Sequence, residues 1–378
     1  MRASPLVQAA GTTFSYTGGE QSFVVPPGVT TLHVVATGAS GADNADSSTY
    51  PDSYNGFAGG GAQITADITV TPNQTLYIEV GGSHGSQSLY TGGWNGGGSG
   101  EYAGGGATDI RTCSIATAPG CPALTGSPAS DPRILVAGGG GGGASFGFYV
   151  QNGMTSYSQG ANGGNAGNAP GSGESGQTNG YSPYGGAGGA GASQSATGAG
   201  GAGGSPNGAA GGNGTAGTGG TGGTGGGITG AGGGGGWFGG GGGGGGGNVN
   251  NASYGAYGGG GGGGGGSSYV RAGSQNVSYV VGGQGDGQLV LTYPGPTAAV
   301  VSRATVQRQH GVETLSWRVS SNRGLAGFAI TASGHRVNAH LIPVHRSRSY
   351  VYPTPSRGPF TLRTILTTGG QTSSPVDG

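Results

Sequence analysis

The chain contains no lysine, so all 13 of its basic residues are arginine. Phosphate-binding P-loops, protein kinases and Schiff-base enzymes each depend on a lysine side chain, and the sequence excludes these chemistries. Charged residues make up only 7% of the chain. No run of about 20 apolar residues is present, so no transmembrane helix is predicted. No arrangement of residues indicates catalysis, a metal site or a cofactor, and we expect a protein that is not an enzyme.

Cysteine is almost as scarce, with only Cys113 and Cys121 present. Their close spacing on one loop predicts a disulfide, and two cysteines alone cannot form a four-cysteine zinc site. A disulfide favours an exported protein, either secreted or held at the cell surface. Residues 1–12 lack the apolar region of a complete secretory signal, and we interpret them as a leader remnant.

Glycine dominates what is present, at 101 of 378 residues. Between Gly138 and Gly266 our count is 63 glycines in 129 residues, framed by strand-like sequence at both ends. Ordering such a segment costs on the order of 100 kcal/mol of conformational entropy, so disorder is the default expectation. The alternative is a set of extended helices with three residues per turn. Residues 219–225 repeat every three residues, so such a helix would carry only glycine on the faces where neighbouring backbones meet. Hydrogen bonds between such helices contribute about 1 kcal/mol each, and their sum would nearly offset the entropic cost of ordering the segment.

Alternating apolar residues predict an all-β fold on either side of this segment. Residues 62–70 and 76–80 are predicted to form a hairpin, and residues 288–293 to form a closing strand. The predicted organisation is a glycine-rich β-sandwich over 13–293, a linker over 294–302, a second β-sandwich over 303–368 and a tail over 369–378.

Charge is unevenly distributed. Residues 1–293 carry four arginines against eleven acids, whereas residues 294–378 carry nine arginines against Glu313 and Asp377. The basic C-terminal domain is expected either to contact anionic envelope polymers or to present a solvated arginine-rich face. No nucleic-acid partner is expected.

Several motifs resemble bacterial glycine-rich surface proteins and the extracellular glycine-rich domain of the anaplastic lymphoma kinase and leukocyte tyrosine kinase receptors. The motifs occur in the same order at residues 14–18, 23–30, 93–98, 105–111 and 133–140. The resemblance covers roughly residues 12–293. It implies a jelly-roll-like sandwich with an inserted polyglycine-II helix bundle at 138–266. The C-terminal domain loosely resembles a fibronectin-type or Ig-like sandwich. The chain has no kinase domain, so a kinase function does not carry over.

In the receptors this region takes part in binding protein ligands, and phage tail-tip adhesins use similar bundles to bind host surfaces. The resemblance therefore implies adhesion or recognition of a protein or carbohydrate ligand. Trp237, Phe238, Tyr254 and Tyr257 lie between glycine runs, where they would either contact a ligand or staple the ends of the bundle together. The alternative function is a structural cell-envelope scaffold or spacer without a specific ligand.

Overall fold

The computed structural model describes residues 9–43, 54–84, 90–117, 120–177, 184–226, 228–250, 254–294, 301–322, 324–366 and 371–376. Over these residues the fold is all-β, as predicted, and every ladder between strands is antiparallel. No helix long and apolar enough to cross a membrane occurs in these ranges. Residues 1–8 of the predicted leader and residues 295–300 of the predicted linker lie outside them.

The N-terminal part contains fourteen strands. They are β1 (Ala9–Ser15), β2 (Gln21–Val24), β3 (Thr31–Thr37), β4 (Ala62–Thr69), β5 (Thr75–Glu79), β6 (Thr108–Arg111), β7 (Arg133–Ala137), β8 (Gly147–Gln151), β9 (Met154–Ser158), β10 (Asn248–Asn250), β11 (Tyr254–Tyr257), β12 (Tyr269–Val270), β13 (Gln275–Val281) and β14 (Gln288–Pro294).

Two five-stranded sheets enclose the N-terminal core in a sandwich-like arrangement, with strand orders β1-β14-β3-β4-β13 and β12-β7-β6-β5-β2. Alternating side chains from both sheets meet in one buried cluster that includes Leu32, Ile64, Leu76, Ile110 and Leu135. Burial of such side chains is the main stabilising contribution available to this part of the chain. The period-two pattern of the sequence thus produces two inward-facing apolar surfaces.

The hairpin predicted from residues 62–70 and 76–80 is wrong. β4 pairs with β3 and β13 in the first sheet, whereas β5 pairs with β2 and β6 in the second. The short turn between them carries the chain from one sheet to the other, so their apolar faces pack toward each other across the core. A sequence pattern shows which face of a strand is buried but does not show which strand lies beside it.

The N-terminal boundary also differs from the predicted one. β1 begins at Ala9 and pairs with β14 along its whole length, from Ala9 opposite Pro294 to Ser15 opposite Gln288. Residues 9–12 therefore belong to the first sheet and not to a leader remnant.

The glycine segment is ordered through backbone hydrogen bonds that repeat every three residues. The amides of residues 239–247 donate in rotation to carbonyl groups of segments 209–215, 228–234 and 184–190, at 2.7–2.9 Å. The carbonyl groups of the same residues accept in rotation from amides of segments 198–204, 220–226 and 258–264. Residues 239–247, which we call the central segment, are thus surrounded by six neighbouring segments.

The glycine segments are continuous with the sandwich. β7 runs directly into residues 138–144, whose amides donate to residues 232 and 235 of the insertion and to residues 39 and 42 after β3. The sandwich loops at 56–59 and 103–106 join the same network. The network therefore extends the end of the sandwich, with shared backbone hydrogen bonds in place of a flexible junction.

The C-terminal part contains β15 (Val301–Gln309), β16 (Val312–Val319), β17 (Leu325–Ala332), β18 (His335–Arg336), β19 (Ser349–Thr354), β20 (Phe360–Leu366) and β21 (Gln371–Pro375). They form two sheets, β15-β16-β19 and β18-β17-β20-β21, around a separate core that includes Trp317, Phe328 and Leu362. β21 pairs with β20, so residues 371–375 are a strand and not a tail.

Candidate contact surface

Trp237 is buried inside the protein, with 1% of its surface exposed. Its ring stacks on Tyr269 at a centroid distance of 3.8 Å, and the Arg133 guanidinium lies 4.8 Å from its centre. Arg133 also donates hydrogen bonds to the carbonyl groups of Gly236 and Trp237 and pairs with Asp131. This arrangement fastens the start of the central segment to β7 and β12, which is the stapling role weighed for this residue.

Phe238 is half-buried and meets Trp237 edge to face, at 6.5 Å between the ring centroids. Its backbone amide and carbonyl bond with Ser267, which directly follows the insertion. Phe238 thus joins the insertion to the chain that leaves it. Cys113 and Cys121 form the predicted disulfide, with their Cα atoms 5.4 Å apart, on the loop between β6 and β7.

Tyr257 lies elsewhere, on a small four-stranded sheet at another edge of the glycine network. This sheet has the order β10-β11-β8-β9, and Tyr254 begins β11 within it. Tyr257 stands opposite Phe148, which in turn stands opposite Tyr157, so three rings share one cross-strand row. The Phe148 and Tyr257 rings stack at 4.4 Å.

Tyr54 extends this row from the loop before β4. Its ring stacks on Tyr157 at 5.6 Å, and Phe146 packs edge-on against Tyr157 at 5.3 Å. We call Tyr257, Phe148, Tyr157 and Tyr54 the aromatic row. All four side chains are half-buried, so each ring is held by its neighbours and still reaches the surface.

Local sequence explains how the row is formed. Asn152 and Gly153 connect β8 to β9 with positive φ angles of 51° and 75°, as a tight two-residue turn requires. This turn fixes Gln151 opposite Met154, and the alternation then places Phe148 opposite Tyr157. Phe148 and Tyr157 cannot be recognised when residues 138–266 are interpreted as one glycine block, and Tyr54 lies outside that block, in a loop without a recognisable motif. The Asn-Gly pair between alternating residues was the signal that could have found the hairpin.

A cleft of about 340 Å³ lies at Phe57, which follows Tyr54 by three residues on the same loop. Phe57 is 54% exposed, and its ring lines the cleft together with Asp43, Ser83, His84 and Gln284. Asp43 accepts a hydrogen bond from the amide of Ala58, and Ser83 donates two to Asp286. An exposed ring beside a carboxylate, an imidazole and an amide can hold a ligand that has one apolar face and several hydroxyl groups.

The most strongly perturbed carboxyl group lies away from this surface, inside the second sheet. Burial raises the pKa of Glu79 to about 7, although the charge of nearby Arg111 acts in the opposite direction. Arg111 is itself paired with Asp109 and bonded to Asn95, so it is held by other partners. Within the described ranges, no three His, Cys, Asp or Glu side chains are grouped in a way that could hold a metal ion.

No protein-family model and no curated protein matches this chain.

Proposed function

We propose that this chain is an exported, non-enzymatic recognition protein whose glycine network presents the aromatic row to a surface carbohydrate. The observation that carries the proposal is the row itself, with three rings in register across β11, β8 and β9 and a fourth stacked on them. Rings that are stacked on one another present apolar edges, and the outer faces of the end rings, at fixed spacing. Aromatic residues are enriched at binding sites, where they supply a large apolar area.

The proposal includes a polyglycine-II arrangement for the insertion, on a jelly-roll-like sandwich. Its support is the three-residue period of the hydrogen bonds and the six neighbours of the central segment. A backbone that is held by its own hydrogen bonds needs few side chains to be rigid. The rings at its edge are then ordered before a ligand arrives, so they lose little conformational entropy on binding.

The chemistry of the surface favours a saccharide over a protein ligand. Hydroxyl and amide side chains occur at both surfaces, with Thr155 and Asn248 beside the row and Gln284 in the cleft at Phe57. Sugars have an apolar face that stacks on rings and hydroxyl groups that bond to carboxylates and amides. The disulfide between Cys113 and Cys121 supports a location outside the reducing cytosol.

Binding of the full chain to an immobilised panel of envelope and host glycans tests this function. We expect Tyr157→Ser to weaken the strongest signal about ten-fold or more, because it removes the ring between Tyr54 and Phe148. Tyr157→Phe keeps the stack and should retain binding. Met154→Ser is the matched control, since Met154 is 73% exposed on the opposite face of the same strand.

Two results would count against recognition through the aromatic row. One is full glycan binding by a folded Tyr157→Ser protein, and the other is the absence of binding by the native chain to every glycan. The second result would favour the alternative of an envelope scaffold. The burial of Trp237 supports that alternative, because this ring contributes to rigidity and none of its surface is available to a ligand.

A further inference from the structure

Residues 92–100, which we call the turn segment, join the sandwich to the glycine insertion. On the sandwich side, the carbonyl groups of Trp94 and Asn95 accept hydrogen bonds from the amides of Gly82 and Ala107, at 3.2 and 3.0 Å. Toward the insertion, the bonds at 2.8 Å are Gly219 N–H to Gly96, Gly98 N–H to Gly233 and Gly222 N–H to Ser99. A displacement of the turn segment therefore breaks bonds that hold the insertion.

Glu79 lies beneath the turn segment, at the end of β5. Its side chain is completely buried, and its Oε2 atom accepts a hydrogen bond from the Trp94 indole at 3.3 Å. Among the residues that the structure describes, none bonds to its Oε1 atom. Burial without hydrogen bonds penalises the charged form of a carboxyl group, so this environment suits a protonated Glu79.

Two further carboxyl groups flank Glu79 across the second sheet. Asp109 stands opposite it on β6, and Glu20 directly precedes β2, where Gln21 stands opposite Ile78. Like charges on neighbouring strands repel each other, and the repulsion is stronger where water is excluded. An ionised Glu79 would therefore stand between two acidic residues.

The cation of this cluster is already held by other groups. Arg111 donates two hydrogen bonds to the carboxylate of Asp109 and one to the side chain of Asn95, at 2.7–2.9 Å. The turn segment itself contains no acidic or basic residue, so it cannot supply a charge that would neutralise Glu79. Ionisation of Glu79 thus has to be accommodated by movement or by entry of water.

The turn segment is the element that can move at the lowest cost. β5 and β6 are held from below by Ile78 and Ile110, which belong to the apolar core of the sandwich. The turn segment has six glycines among its nine residues, and Trp94 is its one large apolar side chain. Segments with few apolar contacts open locally while the core stays folded.

We propose that Glu79 is a proton-controlled latch between the sandwich and the glycine insertion. The protonated side chain lets the turn segment close over β5 and β6. The ionised side chain favours an open form, in which water reaches Glu79 and the bonds to Gly219, Gly222 and Gly233 are lost. The insertion is then held more firmly in mildly acidic than in alkaline surroundings.

The latch changes state close to neutral pH. Desolvation is the main cause that raises the pKa of Glu79 to about 7; the charges of Asp109 and Glu20 raise it as well, whereas Arg111 and the Trp94 hydrogen bond lower it. Because the pKa is raised in the closed form, closure is favoured most at low pH and the preference is lost as the pH rises through about 7.

Hydrogen–deuterium exchange of the full chain, corrected for the intrinsic effect of pH on amide exchange, tests the latch. We expect the protection of amides in 93–98 and 219–222 to fall about ten-fold or more between pH 5.5 and pH 8. Amides of β17 in the C-terminal module should keep their protection. Glu79→Gln stays neutral and should abolish the fall, whereas Glu174→Gln makes the same change at an exposed site and should follow the native chain.

Two variants shift the latch in opposite directions. The pH above which protection stops falling reports the ionisation of Glu79 in the closed form. Glu20→Gln removes a repelling charge and should lower this pH, whereas Trp94→Phe keeps a ring but removes the bond to the carboxylate and should raise it.

Three results would overturn the latch. The first is an equal fall of protection in Glu79→Gln, which would assign the change to another group. The second is constant protection of the turn segment while the most protected core amides respond to pH, which would couple Glu79 to global unfolding alone. The third is a shift of the Glu20→Gln and Trp94→Phe profiles in the same direction, or no shift in either.

Discussion

The carboxyl group of Glu79 is completely buried, and its environment is poorly suited to a charge. One oxygen has no hydrogen-bond partner, and the other accepts a bond from the Trp94 indole at 3.3 Å. Desolvation therefore dominates, and the pKa rises from 4.5 to about 7. The folded state holds a proton on this side chain at mildly acidic pH, where the unfolded chain releases it.

Glu79 makes the stability of the N-terminal part dependent on pH. The pKa of Glu79 is higher in the folded than in the unfolded state. Its contribution to the free energy of unfolding is therefore fully present below pH 4.5 and is lost as the pH rises through about 7. The loss is on the order of 3 kcal/mol for a shift of this size. Glu79→Gln stays neutral, so we expect it to be more stable than the native chain at pH 8 by roughly this amount and nearly equal at pH 4.

Urea unfolding at a series of pH values measures this difference. Glu174→Gln is the control, since Glu174 is exposed and its loss should shift stability by less than about 0.5 kcal/mol at any pH. Parallel pH profiles for the native chain and Glu79→Gln would contradict the assignment.

Single residues also show what could be predicted from the sequence alone. The cysteine pair was predicted correctly, because a disulfide between two residues on one short loop depends on little beyond that loop. Trp237 was recognised as a candidate, but its environment was not. Its partners Arg133 and Tyr269 lie about a hundred and about thirty residues away in the chain, and no local pattern brings them together.

In the glycine network, neighbouring backbones can pack closely only at positions that have no side chain. A Cβ added at Gly243 would lie 1.9 Å from the carbonyl oxygen of Gly261, on a neighbouring segment. A Cβ added at Gly167 meets no atom closer than 3.9 Å, although Gly167 belongs to the same insertion. Composition alone does not distinguish the two positions, because only the packing decides which glycines face another backbone.

Gly243→Ala should therefore destabilise the folded protein by about 3 kcal/mol or more, since Gly243 lies in the central segment, which six neighbouring segments hold in place, and the added methyl group would clash with the backbone of one of them. Gly167→Ala should be neutral or stabilising by about 0.5 kcal/mol, because it restricts the unfolded chain without a clash. Chemical denaturation followed by tryptophan fluorescence, in a Trp317→Phe background that removes the signal of the C-terminal core, reports the difference through Trp94 and Trp237. Similar stability of both variants would argue against close backbone packing in this region.

For the strands too, the bounds depend on neighbouring residues and could be predicted, whereas the pairing depends on distant residues and could not. The closing strand predicted over 288–293 is observed as Gln288–Pro294, because alternation and flanking turn residues are local features. The pairing of β4 with β3 and β13 was not predicted, since a strand with one apolar face fits beside many others. The β8–β9 hairpin carries half of the aromatic row, and it was overlooked inside a segment interpreted by composition alone.

Among the residues that the structure describes, the two largest apolar clusters are separate from each other. One lies between the five-stranded sheets and includes Leu135, and the other lies between the C-terminal sheets and includes Trp317. No residue belongs to both clusters. Chains with separate cores commonly unfold in more than one step. We therefore expect scanning calorimetry of the full chain to show two transitions, and substitutions can assign each of them.

Leu135→Ala should lower only the transition of the N-terminal part, and Trp317→Ala only that of the C-terminal module, each by about 3 kcal/mol or more. Trp317→Phe is the matched variant, because the buried Trp317 indole nitrogen has no hydrogen-bond partner. Phenylalanine keeps most of the apolar surface and removes the unsatisfied donor, so its cost should be well below that of alanine. If either alanine variant moved both transitions together, the two cores would have to unfold as one cooperative unit.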